Sequence, residues 1–103
     1  MARLYKNITS EGIVTLIPKA TSKPGVTGMI KKITISNNST SNAAIVSVQI
    51  FDGSSTGYNY IGNMTIPAGV TLALDDNVSF DSYLYLLRME VTGTSPILDV
   101  IIN

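Results

Sequence analysis

Apolar and polar residues alternate one by one along this chain, in short runs that turn residues repeatedly cut. In Ala43–Phe51, Val46, Val48 and Ile50 alternate with Ser47 and Gln49. In Leu84–Thr92, Tyr85, Leu87, Met89 and Val91 fall on one side, with Arg88 and Glu90 on the other. In Ile97–Ile102, Leu98, Val100 and Ile102 oppose Asp99. Side chains on a strand point to opposite faces in turn, so a period of two marks a strand with one buried face. Helical spacing is not sustained over any long stretch free of Gly, Pro or β-branched runs. The pattern restricts the chain to an all-β fold.

The punctuation sets the strands. A first strand is expected near Leu4–Ile8. Gly12–Ile17 follows and stops at Pro18. Lys19–Thr27 reads as a loop around Pro24-Gly25. Gly28–Ser36 reads as one strand with Ile33 and Ile35 inward, and the polar run Asn37–Asn42 as a turn. After Ala43–Phe51, Asp52-Gly53 opens a turn. Tyr58–Ile61 then leads through Gly62 to Met64–Ile66. Pro67 and Gly69 turn the chain into Val70–Leu74, whose Val70, Leu72 and Leu74 form an apolar face. Asp75–Asp81 reads as a turn with a brief extended piece at Val78–Phe80, and Gly93–Pro96 as the last turn. About eight strands result, at roughly the 8–12-residue spacing of sandwiches and barrels. Several one-sided strands need a second layer. The expectation is a single β-sandwich domain over residues 1–103, immunoglobulin-like or jelly-roll-like, with strand order open. The final strand belongs either to the core or, by β-augmentation, to a neighbouring subunit's sheet edge.

Composition narrows the function. The 103 residues hold 7 basic and 7 acidic side chains, and only 14% are charged, against about 25% in an average domain. A polar but weakly charged surface suits packing against other protein, because net charge keeps proteins apart. The sequence contains no His, Cys or Trp. Ser-His-Asp and Cys-His catalysis and the usual zinc sites are therefore excluded, and no enzyme activity or cofactor is expected. Lys31-Lys32 is the single adjacent basic pair, too little to track phosphates, so nucleic acid is not an expected partner. No apolar run approaches the ~20 residues of a membrane helix. The first residues lack the apolar stretch of a secretory signal. Asn-x-Ser/Thr triplets begin at Asn7, Asn37, Asn38, Asn63 and Asn77. They are read as the composition of a turn-rich chain rather than as glycosylation sites.

Few side chains suggest a site. Asp75, Asp76, Asn77 and Asp81 form an oxygen-rich cluster. EF-hand spacing fails there, since the required Gly is missing and Leu86 stands at the position of the bidentate acid. A turn closed by Asx hydrogen bonds is the preferred reading. Glu11 and Glu90 are the only glutamates, and nothing in the sequence brings them together. Tyr58 and Tyr60, beside a Gly/Ser/Thr loop, form either a recognition surface or a covered sheet face. Lys31 and Lys32 are either solvated edge protection or a salt contact to an acidic partner. These four residues are the candidate interaction surface.

The series Ile33-Thr34-Ile35-Ser36-Asn37-Asn38-Ser39, Ala43–Val48, Tyr60-Ile61 and Ile66-Pro67-Ala68-Gly69-Val70-Thr71-Leu72-Ala73-Leu74-Asp75-Asp76 resembles small all-β structural proteins of tailed bacteriophages, including phages of cyanobacteria. The resemblance spans residues 28–92 and consists of strand and turn patterns, so no functional residue is carried over. It implies a virion component assembled in the host cytoplasm: a capsid decoration (cement) protein, or a neck or tail subunit. The implied partners are the major capsid protein or other virion proteins, with a homo-oligomer, taken as a trimer. A module for host-surface glycans or receptors, using Tyr58 and Tyr60, is the alternative.

Overall fold

In the computed structural model, which describes residues 4–19, 27–75 and 78–103, the chain pairs its first strand with its last. The described residues form ten strands: β1 (Leu4–Ile8), β2 (Gly12–Ile17), β3 (Thr27–Ile30), β4 (Ile33–Asn37), β5 (Ala44–Phe51), β6 (Gly57–Ile66), β7 (Thr71–Leu74), β8 (Val78–Asp81), β9 (Leu86–Gly93) and β10 (Leu98–Ile102). β1 pairs with β10, β2 with β9, β3 with β8, β4 with β7, and β5 with β6, all antiparallel. This is one long hairpin ribbon with its tip at β5–β6. The ribbon folds over so that β10 also pairs with β4, and β9 with β5. Two four-stranded sheets result, in the orders β1-β10-β4-β7 and β2-β9-β5-β6, with β3-β8 as a separate pair.

A double-sheet fold made by rolling an antiparallel ribbon is a jelly roll. The immunoglobulin-like alternative is set aside, because there the first two strands share a sheet. Here β1 and β2 lie in different sheets.

The alternation seen in the sequence locates the core. Ile33 and Ile35 on β4, Val46 and Val48 on β5, Leu87, Met89 and Val91 on β9, and Leu98, Val100 and Ile102 on β10 are all buried. Each belongs to a strand flanked on both sides. Fully burying one such side chain is worth about 1.5–3 kcal/mol. No helix among the described residues is long and apolar enough to cross a membrane.

Several expectations need correction. The expected strand Gly28–Ser36 breaks at Lys31-Lys32, where the ribbon changes sheets. Lys31 N donates to Asn103 O at 2.8 Å, and Asn103 N donates to Lys32 O at 2.9 Å. Tyr58–Ile61 and Met64–Ile66 are parts of one strand, β6, whose register slips twice against β5. At one slip Asn63 takes φ 48°, donates its N–H to Ser47 Oγ at 2.9 Å and accepts from that hydroxyl at 3.2 Å. Such bulges twist an edge strand and discourage further pairing along it. The face expected at Val70, Leu72 and Leu74 is only half buried, because β7 is a sheet edge; Val70 lies outside the strand and is 44% exposed. Leu84 is 52% exposed in the turn before β9. β10 lies between β1 and β4, so both its edges are occupied within the chain and it is not a strand to donate.

The turns follow from local chemistry. Pro67–Val70 closes with Val70 N donating to Pro67 O at 3.2 Å, and Gly69 has φ 77°. That is a type II turn, whose third position favours glycine.

Candidate functional surface

Four connections meet at one end of the sandwich, and Asn37 ties two of them together, β4–β5 and β6–β7. Its side chain is 1% exposed. Nδ2 donates to Asn42 O at 3.0 Å and Ile66 O at 2.9 Å, and Oδ1 accepts from Ser39 N at 3.1 Å. Its backbone N donates to Val70 O and its carbonyl accepts from Gly69 N, each at 2.9 Å. Ser39 Oγ continues the turn by accepting from Asn42 N at 3.0 Å and Ser41 N at 3.3 Å. At the same end Glu11 Oε1 accepts from Gly93 N at 2.7 Å, joining the β1–β2 connection to the end of β9. That glutamate holds a turn together.

The next residue, Asn38, faces outward. Its Nδ2 donates to Asp99 Oδ2 at 2.6 Å, while Asn7 Nδ2 donates to Asp99 Oδ1 at 2.8 Å. Register places Asn7, Asp99, Ser36 and Thr71 in one row across β1, β10, β4 and β7, with Tyr5, Ile101, Thr34 and Ala73 in the next row. The Ser36 and Thr71 hydroxyls lie 3.0 Å apart. Over β1 and β10 lies a surface hollow of about 370 Å³, lined by Tyr5, Lys6, Asn7, Asp99, Val100 and Ile101.

The other sheet carries its own polar row. Arg88 Nε donates to Gln49 Oε1 at 2.9 Å, and Gln49 Nε2 donates to Asn59 Oδ1 at 2.8 Å. The Arg88 guanidinium stands 3.6 Å from the centre of the Phe51 ring, a cation–π contact. Its charge is thus engaged by groups of its own sheet.

The residues singled out from sequence do not converge. Tyr58 is 58% exposed, and its ring meets Tyr85 edge to face with centroids 6.4 Å apart. Tyr60 is half buried and packs on the core. Register puts Tyr58 opposite Ile50, while Tyr60 falls in the slip between Asn59 and Ile61. Lys31 and Lys32 lie in the link between β3 and β4. Of the oxygen-rich cluster, Asp75 is exposed, and Asp76 and Asn77 lie outside the described residues. Asp81 Oδ1 accepts from Tyr83 N at 2.9 Å, an Asx turn. Among the described residues no three His, Cys, Asp or Glu side chains gather as metal ligands do.

Sequence reasoning passed over Asn37, Asn38, Asn7 and Asp99. For Asn7 and Asp99 the available signal was a polar residue at an outward strand position, for Asn37 and Asn38 a polar turn, and neither signal named a partner.

No known protein family matches the chain, and no curated protein matches it. Two chains of solved structures do. One belongs to the crystal structure of the T13 viral particle of IBDV, with 10% identity and a TM-score of 0.30, covering 99% of this chain and 32% of that one. This chain therefore spans about a third of the length of the viral chain it matches.

Proposed function

We propose that the chain is a non-enzymatic structural subunit of a virus particle, and in finer detail a capsid decoration protein of a tailed phage. The observation that carries this reading is the strand order, a rolled ribbon with sheets β1-β10-β4-β7 and β2-β9-β5-β6. Viral capsid domains use that architecture, as do lectins and cupins. Fold alone does not name a function, so the surface matters too. Ile13, Ile45, Met64, Val70, Leu84 and Ile97 are exposed large apolar side chains on a chain with only 14% charged residues. The low charge weakens the repulsion that keeps proteins apart, and the exposed apolar side chains add area to be buried in an assembly. A decoration protein adds area and valency at the joints of a shell, so modest contacts repeated in a homo-oligomer suffice. The sequence resemblance to tailed-phage structural proteins gives the finer reading.

The test is the particle itself. Purified virions made from the genome that carries this gene should contain the chain in many copies, with its density on the outer head surface of an image reconstruction. Expanded capsids lacking it should bind added protein saturably and then resist disruption better. Density confined to the neck or tail would replace the decoration role with the neck or tail alternative. Absence from purified particles would end the virion reading.

A further inference from the structure

The hollow over β1 and β10 has a specific chemical character. Asp99 is an acceptor-only carboxylate with room for about four hydrogen bonds. Asn7 and Asn38 fill one position on each oxygen, at 2.8 Å and 2.6 Å, from opposite sides. The carboxylate is therefore held in one orientation with acceptor capacity remaining, and a ligand need not order it on binding. Tyr5, two residues before Asn7 on the same face of β1, is 71% exposed and lines the same hollow. Residues so spaced stand about 7 Å apart, which lets one small ring lie on the tyrosine and reach the carboxylate.

The lining selects among ligand classes. A bound metal ion needs several hard oxygen ligands, and no group of three acids gathers among the described residues. A bare anion would meet the Asp99 charge. Lys6 also lines the hollow, so one acid and one base leave the wall formally neutral. An uncharged ring with a C–H face on one side and hydroxyl donors at its rim matches both the tyrosine face and the open acceptor, and it needs no charge that Lys6 would oppose. At about 370 Å³ the hollow sits at the small end of ligand sites, about 300–1,000 Å³.

We propose that this hollow binds a neutral pyranose sugar. Tyr5 stacks on the C–H face of the ring, and Asp99, held by Asn7 and Asn38, accepts hydrogen bonds from its hydroxyls. The site is on the opposite sheet from Tyr58 and Tyr60, and it does not depend on a virion role.

The experiment titrates the isotope-labelled full chain with methyl α-glucopyranoside, methyl α-mannopyranoside, methyl β-galactopyranoside and the methyl β-glycoside of N-acetylglucosamine, following backbone amides and Asn side-chain NH2 signals. At least one sugar is expected to saturate with a Kd of about 1–10 mM, the range of a single small contact. Shifts are expected at Tyr5–Asn7, Asn38 and Asp99–Ile101. Tyr5→Ala should raise Kd about tenfold, while Tyr5→Phe stays within about twofold, because the ring face carries the contact. Asp99→Ala should abolish saturation. Each variant's amide spectrum checks its fold, and the wild-type titration stands without any variant. No saturable shift with any of the four sugars overturns the proposal. So do shifts centred on Tyr58 and Tyr85, or unchanged binding in Tyr5→Ala.

Discussion

Asn37 and Asp52 close successive turns with the same device, a side-chain Oδ1 accepting from backbone N–H groups just ahead of it. Asn37 Oδ1 takes the N–H of Ser39. Asp52 Oδ1 takes those of Ser54, Ser55 and Thr56 at 2.8, 2.9 and 3.1 Å, while Asp52 N donates to Thr56 O at 3.0 Å. Counted by amides, the Asp52 turn looks the stronger. Burial reverses the ranking. Asn37 is enclosed, and its Nδ2 also satisfies two carbonyls that reach it from β6 and from the end of its own turn. Water can replace lost bonds at the surface but not in the interior, where an unsatisfied polar group costs about 1–3 kcal/mol.

The largest effect should come from Asn37→Asp. It points a carboxylate at two carbonyl oxygens in a buried site, and about 3 kcal/mol or more should be lost at neutral pH, read from urea unfolding midpoints. Asn37→Ala leaves the carbonyls of Asn42 and Ile66 and the N–H of Ser39 without their partner. It should cost about 2 kcal/mol, a drop in Tm of roughly 8–16 °C for a domain of this size. Ser39→Ala removes two half-buried acceptor contacts and should cost about 1 kcal/mol. Asp52→Ala should lower the unfolding midpoint by less than any of these, because its exposed turn exchanges lost bonds for water, and should speed hydrogen exchange most at Ser54, Ser55 and Thr56. A global loss in Asp52→Ala equal to that of Asn37→Ala would break the comparison.

Acid sharpens it with the smallest perturbation. Hydrogen bonds from the Ser54, Ser55 and Thr56 amides hold the Asp52 carboxyl at about 2, below its ordinary 3.8. A depressed folded pKa means that the contribution is complete above the unfolded value and is lost as pH falls through the folded one. Amide shifts at residues 54–56 should therefore titrate with a midpoint near 2. The Ser39 amide, bonded to an uncharged carboxamide, should show no such step. A step at Ser39 of equal size would mean that the two turns open together.

The two outer sheet faces repeat the lesson. On β2-β9-β5-β6, Arg88 is bonded to Gln49 and stacked on Phe51, so its charge serves the fold. On β1-β10-β4-β7, Asp99 is gripped by two amides beside an open tyrosine ring. That arrangement leaves the carboxylate oriented with acceptor positions unfilled by those two amides, which is the basis of the proposed sugar site.

By itself the sequence determined the all-β class and, on the four central strands, which side chains point inward. Ile33, Ile35, Val46, Val48, Leu87, Met89, Val91, Leu98, Val100 and Ile102 were all legible, because a period of two is a local property of the extended backbone. The Pro67–Val70 turn was legible for the same kind of reason. Tertiary structure alone decided the rest. Pairing the first strand with the last is a long-range event with no local signature, so the jelly-roll order, the break at Lys31-Lys32 and the enclosed place of β10 were out of reach. Asn7 and Asp99 are 92 residues apart in sequence, and only the closing of the ribbon makes them neighbours. Asn37 reads as one polar residue in a polar turn. Its burial comes with the connection between β6 and β7 bonded against it, and that burial turns a common turn residue into the tie between two connections.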